Sequence, residues 1–178
     1  MFHTLFPMIG KYLKENNKKN VLDIGIQSVN IYDKQMLHNN NVNFFAIDLK
    51  RFDYINYPKD WQGLYFLDLT ENIGNQINLK FDVIIDYGVI GWGGVHNKIT
   101  KNKICKYFDN IKFLLSSDGI YFLKLDYHYK SDNLLYIKNY IEKEFSLATF
   151  YNLEFKKIYQ TWEGINNKEL YNCYVLKK

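Results

Sequence analysis

The sequence predicts an α/β fold, a mostly parallel sheet with helices on both faces. Three observations carry this expectation. Short continuous apolar runs recur along the chain, stretches with helical spacing separate them, and an aspartate closes each of the first five runs. With 178 residues, 47% of them hydrophobic, the chain suits one compact domain over residues 1–178, burying roughly 70% of its unfolded surface.

The elements follow in order. Leu5, Ile9, Tyr12 and Leu13 recur at helical spacing, with Thr4 as an N-cap and Pro7 tolerable in the first turn, so a short first helix is expected. Strands are predicted at NVLDIG (20–25), VNFFAID (42–48), LYFLD (64–68), FDVIIDYG (81–88) and GIYFLKLD (119–126), with helices between about 29 and 38 and near 70–78. A glycine-rich loop follows residue 88. Residues 98–115 place Ile104, Phe108, Ile111 and Leu115 on one face and lysines on the other, the pattern of a surface helix packed on a sheet. In the helix at 132–145 the buried stripe is Leu134, Leu135, Ile137, Ile141 and Phe145, with Ser131 or Asp132 able to cap its start. SLATFYNLEFKKIYQTW and LYNCYVLKK read as two closing strands joined across EGINNKE, hence antiparallel to one another.

Composition narrows the function. The net charge of +4 would ordinarily invite a nucleic-acid reading, but of 23 basic residues only Arg51 is arginine, the side chain suited to bidentate phosphate and guanine contacts. The rest are scattered lysines, densest at 18–19 and 98–106, and read as solvated helix faces. The abundance of Lys, Asn, Ile, Tyr and Phe looks like the imprint of an AT-rich genome. Cys105 and Cys173 lie in apolar periodic surroundings without CxxC spacing and read as core thiols in a reducing compartment. No basic segment precedes an early apolar stretch and no run approaches 18 apolar residues. A soluble cytoplasmic protein without signal peptide or membrane span is expected.

In open parallel sheets, ligands bind beyond the carboxyl ends of the strands. There Asp23, Asp48, Asp68, Asp86 and Asp126 follow one another, each after an apolar run. Taken singly, each aspartate also reads as the cap of the turn or helix that follows it. Taken together they suit a nucleoside: Asp48 could accept both ribose hydroxyl protons, and Asp68 the protons of an adenine amino group while a neighbouring N–H meets a ring nitrogen. Pyrophosphate cofactors need the three glycines of a G-x-G-x-x-G turn, whereas Gly25 is followed here by Ile26, Gln27, Ser28 and Val29. S-adenosyl-L-methionine carries a sulfonium and no phosphate, and acidic strand ends suit its positive centre.

On these residues the chain resembles the class I S-adenosylmethionine-dependent methyltransferases over nearly its whole length. VLDIG (21–25) is similar to their first motif, FFAIDL (44–49) to the ribose-binding strand end, FLDLTENI (66–73) to the adenine-binding stretch, and FDVIIDYG and SSDGIYFLKLD to the fourth and fifth strands. DYGVIGWGG (86–94) resembles a GVFGWG-type loop of small bacterial and viral methyltransferase-like proteins that share a glycine-poor first motif. The resemblance implies a Rossmann-like seven-stranded sheet in the order 3-2-1-4-5-7-6, with the last strand antiparallel. It also implies a cofactor held by Asp23, Gly25, Ile26, Asp48, Leu49, Asp68, Leu69, Asp86, Tyr87 and Gly88. Gln27 and Val29 stand where the family carries glycines.

Methyl transfer to an alcohol needs alignment and a base. His96, at the end of the loop 88–96, is the first candidate, with Asp126 and His128 next, and Trp92 offers an apolar or sugar-stacking wall. Asp86, Asp126 and His128 lack diagnostic metal-ligand spacing, so no metal is expected. The expected activity is O-methylation of a small molecule or saccharide, with neither nucleic acid nor membrane as partner. Two other readings stand beside it: a non-catalytic methyltransferase-fold scaffold or partner subunit, and, more weakly, a nucleic-acid methyltransferase using the lysine-rich helix at 98–112.

Overall fold

The computed structural model describes residues 2–25, 42–49, 61–87, 89–90, 99–126, 132–148, 158–160 and 169–178. Its strands are β1 (Asn20–Ile24), β2 (Asn43–Asp48), β3 (Gly63–Phe66), β4 (Phe81–Tyr87), β5 (Leu115–Asp126), β6 (Ser146–Leu147), β7 (Ile158–Gln160) and β8 (Glu169–Lys177). They form one sheet in the order β3-β2-β1-β4-β5-β8-β6, with β7 also paired to β8. Strands β1 to β5 are parallel to one another, and β8 runs antiparallel to β5, β6 and β7. This is the expected order; among the described residues the sixth predicted strand is represented by β6 and β7.

The period of two along each strand sorts its side chains onto the two faces. Val21, Phe44, Ala46, Val83 and Ile85 face α1 (Phe2–Glu15), whose Ile9 and Leu13 pack on them. Leu22, Ile24, Phe45, Ile47, Ile84, Tyr121 and Leu123 face the other way, onto Ile104, Phe108 and Ile111 of α2 (Lys101–Leu114) and Ile137 and Ile141 of α3 (Asp132–Glu144). Phe108 stacks on Tyr140 with ring centroids 5.5 Å apart, joining the two helices. Each fully buried side chain of this kind stabilises the fold by roughly 1.5–3 kcal/mol.

The amino ends of the strands are fastened by charged groups. The carboxylate of Asp82 accepts from the backbone N–H of both Lys19 and Asn20, each at 3.0 Å, which fixes the entry of β1 beside β4. Lys18 pairs with Asp118 at 2.6 Å, in the irregular stretch of β5 where register with β4 shifts from Phe81↔Leu115 to Val83↔Ile120. These contacts hold the strands whose far ends form the site.

Four expectations are corrected, the first being that Leu135, placed in the buried stripe of the helix at 132–145, is exposed on α3. The segment at 70–78 is a pair of turns, not a helix: Asp68 accepts from the N–H of Thr70, Asn72 accepts from the N–H of Gly74, and Gly74 has φ of +49°. Helix α1 begins at Phe2, ahead of the proposed cap Thr4. Cys105 is a half-buried free thiol 3.0 Å from the hydroxyl of Tyr136, at the contact of α2 with α3, not a fully buried core thiol. The side chain of Cys173 and the predicted helix at 29–38 lie outside the described residues. Among the described residues no helix is long and apolar enough to cross a membrane.

Candidate functional site

Parallel pairing brings the carboxyl ends of β1 to β5 to one edge of the sheet. Asp23 lies opposite Ala46 and Ile85, and Asp86 lies opposite Ile24. By alternation Asp23 and Asp48 belong to the face of α1 and Asp86 to the face of α2. The two innermost carboxylates, each at most 2% exposed, therefore sit on adjacent strands but on opposite faces.

Immediately beyond Asp23 the chain turns at Gly25, with φ of +79° and its N–H donated to the carbonyl of Ile47 at 2.9 Å. A Cβ placed there would come within 2.2 Å of Val89 Cγ2. The loop leaving β4 thus packs directly on the turn leaving β1, and both backbone conformation and space demand glycine.

Asp86 is the electrostatic centre of this edge. Tyr107 and Tyr121 donate their hydroxyls to its Oδ2 at 2.6 Å and 3.0 Å, and the N–H of Val89 donates to Oδ1 at 2.9 Å. Burial pushes its carboxyl from 3.8 up to about 6; the three hydrogen bonds oppose the shift and the charge of Asp23 adds to it. Burial also raises both phenols well above 10, followed by the charge of Asp86, so they stay neutral donors. Asp86 consequently ties helix α2, strand β5 and the start of the following loop together.

At the other end of the edge the acids are more open. Asp48 is half-buried and accepts from its own neighbour's N–H, that of Leu49, at 2.7 Å, while the Leu49 side chain is exposed. Asp68 is exposed, and its Oδ1 accepts from both the N–H and the hydroxyl of Thr70, at 2.8 Å and 2.7 Å. Among the described residues, Asp68 Oδ2 and the Leu69 N–H make no hydrogen bond. Two consecutive residues thus leave an acceptor and a donor open, while the Leu69 side chain is buried.

The turn that carries this pair is held from α2. Asn110 is 5% exposed and donates its amide to the carbonyls of Leu69 and Glu71, at 2.8 Å and 2.7 Å. Lys103 pairs with Glu71 at 2.6 Å. Lys103, Tyr107 and Asn110 recur at i, i+4 and i+7, forming one polar stripe along the helix.

The proposed Ile26, Gly88, Trp92, His96 and His128 lie outside the described residues, as do the side chains of Tyr87 and Asp126, whose backbones end β4 and β5. Sequence reasoning missed Tyr107 and Asn110, which lie within the predicted surface helix, and Tyr121, which lies within the fifth predicted strand. It also missed Lys124, a cation only 9% exposed near the end of β5, in register with Tyr87 and Cys173. A lysine interrupting the apolar run YFLKL was the available signal. Among the described residues no three His, Cys, Asp or Glu side chains converge on a common point.

No protein-family model matches the sequence, and no curated protein matches it. The fold does have solved counterparts. The N-methyltransferase NodS from Bradyrhizobium japonicum superposes with a TM-score of 0.59 at 11% identity, covering 99% of this chain and 94% of NodS. The 1,6-didemethyltoxoflavin-N1-methyltransferase from Burkholderia thailandensis, crystallised with bound 1,6-didemethyltoxoflavin and S-adenosylhomocysteine, gives a TM-score of 0.58 at 13% identity over 97% of this chain and 76% of that one. A TehB-like SAM-dependent methyltransferase from Corynebacterium glutamicum gives 0.55 at 16% identity over 96% and 87%. The chain has the Rossmann-like fold of S-adenosylmethionine-dependent methyltransferases.

Proposed function

We propose that the chain, as a single methyltransferase-like domain, is an S-adenosyl-L-methionine-dependent methyltransferase acting on an oxygen of a small molecule or saccharide. The observation that carries this reading is the pair left open on the turn after β3, Asp68 Oδ2 beside the Leu69 N–H. An adenine edge offers the complement, an amino donor next to a ring-nitrogen acceptor. Asp48, one strand inward, is the proposed ribose acceptor, with Leu49 beside the nucleoside. Asp23, Gly25 and Ile26 are the proposed seat of the methionine end, and Asp86, Tyr87 and Gly88 the wall between cofactor and acceptor.

When bound, the cofactor would supply an electrophilic methyl group on its sulfonium. The chain's own residues align the acceptor, and good alignment is equivalent to roughly 10⁵–10⁸ M effective concentration. His96 is the proposed base for the acceptor hydroxyl, with Asp126 and His128 as the next candidates and Trp92 as the acceptor wall.

The contact of Val89 with Gly25 favours a second reading, a non-catalytic scaffold of the same fold, because packing alone accounts for the glycine. A nucleic-acid substrate is disfavoured by the lysine-rich helix itself. Lys103 and Lys112 are paired with Glu71 and Glu144, at 2.6 Å and 2.5 Å.

Calorimetric titration with S-adenosylhomocysteine separates the enzyme from the scaffold. Saturable binding is expected, weakened at least tenfold in Asp48→Ala by loss of a charged acceptor. No heat at millimolar ligand would sink the enzyme reading. Loss of turnover in His96→Ala, with binding retained, would support the assigned base.

A further inference from the structure

We propose that Asn110 is a positioning residue for adenine: by holding the turn after β3 to α2, it sets the donor and acceptor that read the base. The proposal rests on the methyltransferase reading above and goes beyond it, since the Asn110 amide is bonded to the turn itself.

Four features of the structure support it. Asp68 and Leu69 belong to a turn closed by the Glu71 N–H donating to the Asp68 carbonyl at 3.0 Å, and β3 has already ended at Phe66. A further bond to β2, from the Leu67 N–H to the Asp48 carbonyl at 2.8 Å, sets the entry of the turn but not the residues within it. Two of its carbonyls, those of Leu69 and Glu71, are instead turned toward α2 and bound by one buried amide. The peptide whose N–H faces the proposed adenine and the peptide whose carbonyl Asn110 grips flank the same residue, Leu69. Orienting one peptide restrains the other through only two soft dihedrals.

The chemistry of the contact is also selective. A primary amide presents two N–H donors from a single atom, which is what two converging carbonyls require, and leucine has nearly the same shape with no donor. The Lys103–Glu71 pair holds the same turn but is exposed at both ends, with side-chain accessibilities of 48% and 60%, so it contributes little. Asn110 is the buried fastening.

The test compares S-adenosylhomocysteine with S-inosylhomocysteine, whose 6-oxo group replaces the amino donor, on the full chain by calorimetry. Wild type is expected to prefer the adenosyl ligand. In Asn110→Leu that preference should shrink about tenfold, through weaker adenosyl binding with inosyl binding little changed. Asn110→Ser, which keeps one donor and serves if the leucine variant does not fold, should fall between. Hydrogen exchange of the free protein should show faster exchange at the bonded N–H groups of Thr70 and Glu71 in both variants. Equal weakening of both ligands, or an unchanged preference, would overturn the proposal while leaving the methyltransferase reading intact. Absence of binding by wild type would overturn both.

Discussion

Tyr107, midway along α2, donates a 2.6 Å hydrogen bond to the carboxylate of Asp86, the penultimate residue of β4. Both groups are buried, and Tyr121 reaches the same oxygen from β5. The contact links a helix, two strands and the loop that begins at Val89 through one charge.

That charge makes stability depend on pH in an unusual direction. A carboxyl raised from 3.8 to about 6 binds its proton more tightly in the folded state than in the unfolded one. Its favourable contribution is complete below pH 3.8 and is lost as pH rises to about 6, a change of about 3 kcal/mol. Other carboxylates obscure this in the whole chain, so the informative quantity is the difference between wild type and Asp86→Asn. Denaturant melts should show wild type losing about 3 kcal/mol relative to the variant between pH 3.5 and 7; a flat difference would show that Asp86 does not titrate in this window.

Tyr107→Phe removes a donor from a buried carboxylate without changing the ring. At pH 7, where Asp86 is ionised, the cost should be about 2 kcal/mol, and at pH 4, where it is protonated, about 1 kcal/mol. Urea unfolding at the two pH values checks both numbers.

The glycine turn yields a paired prediction. Gly25→Ala faces both the left-handed backbone and Val89 Cγ2 and should cost about 3 kcal/mol. Introduced into Val89→Ala, the same change should cost about 1–2 kcal/mol, leaving mainly the backbone strain. A double-mutant cycle with no coupling would contradict the contact.

Asp82 gives a stability prediction remote from the site. Asp82→Ala leaves the N–H groups of Lys19 and Asn20 without their acceptor and should destabilise by about 2 kcal/mol, while Asp82→Asn, which keeps one acceptor oxygen, should lose about half of that. Thermal unfolding distinguishes them.

The strands were legible because apolar runs such as VLDI, FFAI and DVIID announce buried parallel strands, and their terminal aspartates mark the edge where a ligand binds; their order was implied only by the resemblance to the methyltransferases. The stretch after β3 misled for an equally physical reason. Leu69, Ile73 and Ile77 recur every four residues and are all buried, imitating a helical stripe. Capping by Asp68 and Asn72 and the positive φ of Gly74 instead break the segment into turns that bury the same side chains. Asn110 was opaque in sequence because its partners are main-chain carbonyls some forty residues earlier, which leave no mark in side-chain patterning. Tyr107 and Tyr121 looked like core aromatics, which they are; only their hydroxyls reveal the buried acid.

The seating of Val89 on Gly25 also bears on how the chain can diverge. Selection for folding alone would retain this glycine, since any side chain there collides with its neighbour whatever the protein binds. A descendant that had abandoned catalysis would be expected to keep Gly25 while letting Asp48 and Asp68 drift. In a lineage of such sequences, the two outer acids, not the glycine, would record whether the nucleoside still matters.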